Sequence, residues 1–290
     1  MGSDVQGRKP DSSLPLSRVG VKGLKFPVII RRGSREILLS ATAEVFVDVP
    51  GNRKGADLSE ITGSVSSLVF KKREFEGIEN ITAQICRQVL ERLPYVKTCE
   101  CRMQADYFVK SGSLNDSTLN LSTLIGETTI SRDQEEQDFI GISVQGINAC
   151  PCTMEKERTI LKERFPEFSL AVDSLPIITH NQRNRVMIKV QNMKRKQVDA
   201  DSLVAIAQAV IGQPVSIGAK SESDADLILR QHMKPMFVED VVREIAKKLK
   251  GDLPDIDPEA RIIIRSESEE SVHPHNAFAE FSGKFKEIRI

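Results

Sequence analysis

Cys99-Glu100-Cys101-Arg102-Met103-Gln104-Ala105-Asp106-Tyr107-Phe108-Val109 alternates apolar or small residues at odd positions with mostly polar ones between them. A period of two places each set on its own face of a β-strand. This reading buries Cys99 and Cys101 as core thiols rather than ligands, and the helical spacing around Cys86 does the same for that residue. Just upstream the period changes: Ile81, Ile85, Val89 and Leu93 recur at helical spacing, Asn80 is the candidate N-cap and Pro94 the stop. Further back, Phe26–Ile30 and Leu38–Val49 read as strands, and turn chemistry at 50–55 closes the second of them. Downstream, the Ser/Thr/Asp/Glu-rich residues 111–137 read as a connection with one short apolar stretch. Ile140, Ile142 and Val144 then form a strand that ends at Gly146.

The second half repeats this order. Val186, Ile188 and Val190 alternate as a strand, and Leu203, Ile206, Val210 and Ile211 make a helix with Gly212 as its C-cap. A strongly amphipathic helix carries Val238, Val241, Val242, Ile245 and Leu249 from a start near Phe237. Strands at Arg261–Arg265 and Ala277–Phe281 close the chain. Strands, helices and strands, twice over, predict an α+β fold in two similar halves.

Composition narrows the function. The chain has 290 residues with 41 Lys+Arg against 41 Asp+Glu, so no net field recruits nucleic acid or an anionic membrane. No run approaches the ~18 apolar residues of a membrane span, and Met1–Pro10 has no apolar signal core. Five cysteines fit a reducing cytoplasm better than a disulfide framework. Residues 1–15, rich in Gly, Ser, Asp and Pro, are expected to be a disordered tail.

The chemistry-bearing residues are few. Cys150 and Cys152 flank Pro151, His180 stands in Thr179-His180-Asn181-Gln182-Arg183, and Glu270 precedes His273-Pro274-His275-Asn276. A thiolate, imidazoles and a carboxylate form the ligand set of a catalytic transition-metal site. Each motif alone also suits tight packing or a solvated surface; together they favour metal. Glu270 and His273 face one centre if a turn joins them, and Pro274 supports that turn. A zinc finger fits poorly, since no C-x-x-C occurs. A thiol enzyme with Cys152 as nucleophile and His180 as base stays open. His232, in a polar stretch, reads as an ordinary surface residue.

Cys150-Pro151-Cys152-Thr153, His180-Asn181-Gln182-Arg183, Phe237-Val238-Glu239-Asp240 and Glu270-Ser271-Val272-His273-Pro274-His275-Asn276, in this order, resemble the GTP cyclohydrolases of the metal-dependent second type. That family comprises bacterial enzymes and archaeal methanopterin-pathway relatives, and the long Cys152–His180 insert is more similar to the archaeal branch. The resemblance spans about residues 16–282 and implies a tunnelling fold. Its halves are expected at 16–150 and 151–290, with antiparallel sheets, helices on one face and a barrel assembled across subunits. It implies a homo-oligomer, tetramer or dimer, and hydrolytic opening of the guanine imidazole ring of GTP by metal-activated water. Formate leaves, and a 7,8-dihydroneopterin phosphate forms as the first step of a pterin pathway. The archaeal-type product is a 2′,3′-cyclic phosphate plus diphosphate; the bacterial-type product is the triphosphate. A non-catalytic purine- or pterin-binding relative is a further alternative.

The same resemblance implies Cys152, His180, Glu270, His273 and Asp224 as metal ligands, with Fe(II) ahead of Zn(II) or Mn(II). It implies Cys152 and His180 as catalytic, Glu239 as the carboxylate that anchors guanine, and Arg183 as a phosphate contact. Two departures stand out. Lys220-Ser221-Glu222-Ser223-Asp224 replaces a family Lys-Arg-x-Asp-Glu stretch, leaving Asp224 or Glu222 for its glutamate. Gly55-Ala56-Asp57-Leu58-Ser59-Glu60 replaces Gly-x-His-Met-Ser-Arg.

Overall fold

A computed structural model describes residues 5–32, 35–70, 75–111, 118–133, 136–193, 198–212 and 221–289. The elements are β1 (Leu16–Arg32), β2 (Arg35–Val49), α1 (Leu58–Phe70), α2 (Ile78–Arg92), β3 (Thr98–Ser111), β4 (Thr118–Ser131), β5 (Gln137–Ala149), α3 (Pro151–Arg164), α4 (Ser169–Ser174), β6 (Asn181–Gln191), α5 (Ala200–Val210), α6 (Ser221–Met233), α7 (Val238–Asp252), β7 (Arg261–Glu269) and β8 (Ala277–Lys284). Hydrogen bonds link the strands in chain order from β1 to β8. The order strand-strand-helix-helix-strand-strand occurs twice, as β1-β2-α1-α2-β3-β4 and as β5-β6-α5-α7-β7-β8, with α3, α4 and α6 added to the second run.

The chain divides into two compact units. One contains residues 1–107, 123–141 and 191–194; the other contains 108–122, 142–190 and 195–290. In the first, β2 pairs antiparallel with β3 so that Val47, Val45, Ala43 and Ala41 lie opposite Cys99, Cys101, Met103 and Ala105. All eight are buried, as the alternation around Cys99 requires. Helices α1 and α2 contribute Ile61, Val65, Leu68, Ile78, Ile81, Ile85 and Val89 to the core. Burying each such side chain stabilises by about 1.5–3 kcal/mol. Gly23, at φ 68, sits where the β1–β2 register slips between Val21 and Leu24; a side chain would be strained there.

Several sequence expectations shift. The N-cap of α2 is Gly77, and Asn80 acts from the third helical position by accepting a hydrogen bond from Gly77 N–H at 3.0 Å. The stretch read as a connection contains β4, unrecognised because several of its buried positions are polar: Asn120, Ser122 and Thr128. In the segment expected to be a disordered tail, the carbonyls of Gln6 and Arg8 accept bonds from Gly55 N–H and Lys54 N–H; residues 1–4 lie outside the described residues.

In the second unit, β6, β7 and β8 form an antiparallel ladder that sets Val186 opposite Ser266, Ile188 opposite Ile264 and Val190 opposite Ile262. Helix α7 starts after Phe237, as read, and buries Val238, Val241, Val242, Ile245, Ala246 and Leu249. Strand β5 continues past Gly146 to Ala149. Gly146 has a reason to be glycine: a Cβ there would lie 2.3 Å from the Gly212 carbonyl oxygen, which accepts a bond from Ile147 N–H. The C-cap of α5 is Ile211, so Gly212 serves this bridge instead.

Candidate metal and substrate site

The site motifs sit at strand ends and helix starts in the second unit. Strand β5 delivers Cys150, which caps α3, with Pro151 in the first helical turn where its missing N–H costs nothing. Cys152 is thereby exposed and Cys150 half-buried, both as free thiols. Cys150 N–H donates to the His180 carbonyl at 3.3 Å, and Thr153 Oγ1 is hydrogen-bonded to His180 Nε2 at 3.2 Å. The C-P-C-T turn and His180 are therefore adjacent, although Thr153 and His180 are 27 positions apart in the chain. His180 Nδ1 is buried and has no hydrogen-bond partner among the described residues.

One step into β6, Gln182 is buried and its Nε2 donates to Glu270 Oε1 at 3.1 Å. The pairing of Arg183 with Glu269 sets this up. Ser271 Oγ donates to the Asn181 carbonyl at 3.3 Å. Beyond Glu270 the loop exposes His273 and His275, whose rings stack at 5.3 Å. Asn276 Nδ2 closes the loop by donating to Glu267 Oε1 at 3.2 Å.

A buried polar layer lies behind these residues. Asn184 and Ser266 exchange two hydrogen bonds, at 3.0 and 3.1 Å. Asn148 accepts from Ser268 Oγ at 3.1 Å and donates to the Met236 carbonyl at 3.1 Å. Met236 directly precedes the Phe237-Val238-Glu239-Asp240 motif. There Phe237 N–H donates to Asp240 Oδ2 at 3.2 Å, which leaves Glu239 exposed in the first turn of α7. A helix N-terminus is a favourable place for that carboxylate.

Asp224 and Glu222 are exposed in the first turn of α6; Lys220 of that stretch lies outside the described residues. Arg183 is exposed. Among the described residues no group of three or more His, Cys, Asp and Glu side chains is gathered to hold a metal ion. The structure thus joins His180 to the C-P-C-T turn, and Glu270 to the strand two residues beyond His180. The donor types still suit a borderline divalent metal: an accessible thiol, a buried imidazole nitrogen without a partner, and a carboxylate with one oxygen already held.

His232 corrects its sequence reading. It is 1% exposed, with Nδ1 2.7 Å from the Ile228 carbonyl oxygen and Nε2 3.0 Å from that of Thr179. It fastens α6 to the residue before His180. The other cysteines behave as read. Burial, then contacts with Cys99 and Cys101, push the Cys86 thiol up, and burial does the same for Cys101. Both stay protonated and are poor ligands.

Across residues 3–279 the chain matches the family described as type I GTP cyclohydrolase folE2. The chain belongs to that family. It is 36% identical over 286 residues to GTP cyclohydrolase MptA of Thermoplasma acidophilum, covering 99% of this chain and 96% of that protein. It is 32% identical over 305 residues to GTP cyclohydrolase MptA of Methanosarcina acetivorans, again covering 99% and 96%. Among solved structures, uricase from Arthrobacter globiformis aligns with a TM-score of 0.54 at 10% identity, over 95% of this chain and 96% of that one. A uricase from Bacillus fastidious gives 0.54 at 10% identity, over 93% and 94%. The uricase likeness is one of fold, the tunnelling fold expected from the motifs.

The cyclohydrolase therefore has the α+β architecture and the enzyme class that its motifs implied, with GTP as the family's substrate. No helix among the described residues is long and apolar enough to cross a membrane. Sequence reasoning quoted Thr153 and Gln182 within their motifs but gave no role to them or to Asn148. The available signal was a polar residue on the inward face of an alternating strand: Gln182 and Asn184 share the buried face of β6 with Val186 and Ile188.

Proposed function

We propose that this cyclohydrolase opens the guanine imidazole ring of GTP at C8, releases formate and recloses to a 7,8-dihydroneopterin phosphate. The 2′,3′-cyclic phosphate with diphosphate is the favoured product, because the relatives named MptA align over nearly the whole chain. The observation that carries the site reading is His180: its Nε2 is engaged by Thr153, beside Cys152, and its buried Nδ1 has no partner among the described residues.

Cys152, His180, Glu270 and His273 are the residues we assign to a divalent metal, Fe(II) before Zn(II) or Mn(II), with Asp224 as a fifth candidate. Bound there, such an ion supplies Lewis acidity that makes water nucleophilic near neutral pH. The chain's own residues do the rest. Glu239 projects from the start of α7 and accepts the N1–H and exocyclic amine of guanine bidentately, which fixes the orientation of C8. Arg183 offers a guanidinium to the phosphates. His180 has a second candidate role in place of ligation: with Nδ1 not bound to metal, it would move a proton to the purine nitrogen released as the ring opens. The family resemblance supports a homo-oligomer as the working enzyme, and five free cysteines support a reducing, cytoplasmic setting.

The test is anaerobic incubation of the full chain with GTP and Fe(II), Zn(II) or Mn(II) in turn. Formate release and a fluorescent pterin after oxidation are expected, and phosphorus NMR then distinguishes a cyclic phosphate from a triphosphate. Absence of formate with every metal would overturn the reading.

A further inference from the structure

We propose that Gln182 is the positioning residue for Glu270, holding one carboxylate oxygen so that the other is presented to the metal. The inference rests on the assignment of Glu270 as a ligand. Gln182 is 7% exposed and its Nε2 lies 3.1 Å from Glu270 Oε1. An amide is the side chain that donates to a carboxylate at any pH without carrying charge, so it steers Glu270 without competing for a cation.

The orientation of the amide follows from its neighbour. Only the NH2 group can face a carboxylate, which turns Oε1 the other way, and Oε1 is buried without a partner among the described residues. Buried side-chain acceptors are rarely left in this state. A residue placed only to tie β6 to β7 would be satisfied on both ends, as Asn184 is by Ser266. Gln182 is satisfied only toward Glu270, and it stands two residues after His180, at the start of β6. Two candidate ligands are therefore each held by a polar partner near the start of β6: His180 by Thr153 of α3, and Glu270 by Gln182 of β6. Hydrogen bonds to ligating groups fix their orientation, and their loss usually weakens metal affinity by about 10–100-fold.

The test compares full-length Gln182→Met, Glu270→Ala and the double variant with the parent protein. The readout is Co(II) and Zn(II) affinity, measured by competition with a chromogenic chelator, together with the visible spectrum of the Co(II) form. Gln182→Met is expected to bind about 10–100-fold more weakly with an altered Co(II) spectrum, and the double variant no more weakly than Glu270→Ala alone. Parental affinity and spectrum in Gln182→Met, or losses that simply add in the double variant, would overturn the proposal. Parental affinity in Glu270→Ala would instead sink the ligand assignment beneath it. Should Gln182→Met fail to fold, Gln182→Asn withdraws the same donor by one carbon and is read in the same way.

Discussion

Replacing Asn148 by Leu removes one side chain that ties three parts of the site together. Asn148 is 2% exposed, donates to the Met236 carbonyl and accepts from Ser268 Oγ, each at 3.1 Å. Each bond contributes about 1 kcal/mol net, and each dry orphan left behind costs about 1–3 kcal/mol. Leucine keeps the branching and adds volume at its two methyl groups, so no cavity opens and any further cost is one of overpacking. Two such orphans give an expected loss of about 2–6 kcal/mol, which lowers the thermal midpoint by roughly 4–24 °C. The functional part is more specific. Met236 leads into Phe237 and Glu239, so freeing its carbonyl lets the start of α7 drift and misplaces the carboxylate proposed to anchor guanine. KM for GTP should rise several-fold, with metal affinity unchanged. Differential scanning fluorimetry and steady-state formate release measure the two effects. A midpoint within about 2 °C of the parent, or an unchanged KM at a lowered midpoint, would refute the coupling.

Cys152→Ala and His273→Ala should each abolish formate release while the circular dichroism spectrum stays parental; turnover in either variant removes that residue from the metal set. His232→Ala removes the ring N–H that, according to tautomer, donates to the Ile228 or the Thr179 carbonyl, and a drop of about 1–3 kcal/mol in urea unfolding is expected. Asp138 tests a pH effect. Burial raises its pKa against the opposing hydrogen bonds from Thr128 and Asn192, so its stabilising contribution is complete below about pH 4, the unfolded value, and is lost as pH rises through the folded one. The stability of Asp138→Asn relative to the parent should therefore increase from pH 4 toward neutrality, and a flat or opposite trend in thermal midpoints would contradict this.

Strands whose inward positions are apolar were readable from the letters: Cys99, Cys101 and Met103 on β3, and Val186, Ile188 and Val190 on β6. Helix α7 was equally plain, because its apolar stripe packs on β7 and β8. Strand β4 escaped because inward Asn120, Ser122 and Thr128 carry no hydrophobic period. Helix α3 escaped because only Met154 is buried along it, so nothing in its sequence marks an inner face. The site motifs were legible as chemistry, but their adjacency was not. That Glu270 meets Gln182 follows from β6–β7 pairing across 88 positions, and that His180 meets Thr153 follows from the backbone bond between Cys150 and His180. His232 was misread because its partners are carbonyls, which leave no trace in side-chain pattern.

The separation of the cysteines gives the enzyme a built-in unfolding clock. Cys152 is open to solvent and Cys150 half-open, whereas Cys86, Cys99 and Cys101 are sealed within the first unit. An alkylating reagent should label the outer pair within seconds and the inner three only as fast as that unit opens. Mass spectrometry of the time course then reports local opening of the first unit at native conditions, without denaturant or an attached dye.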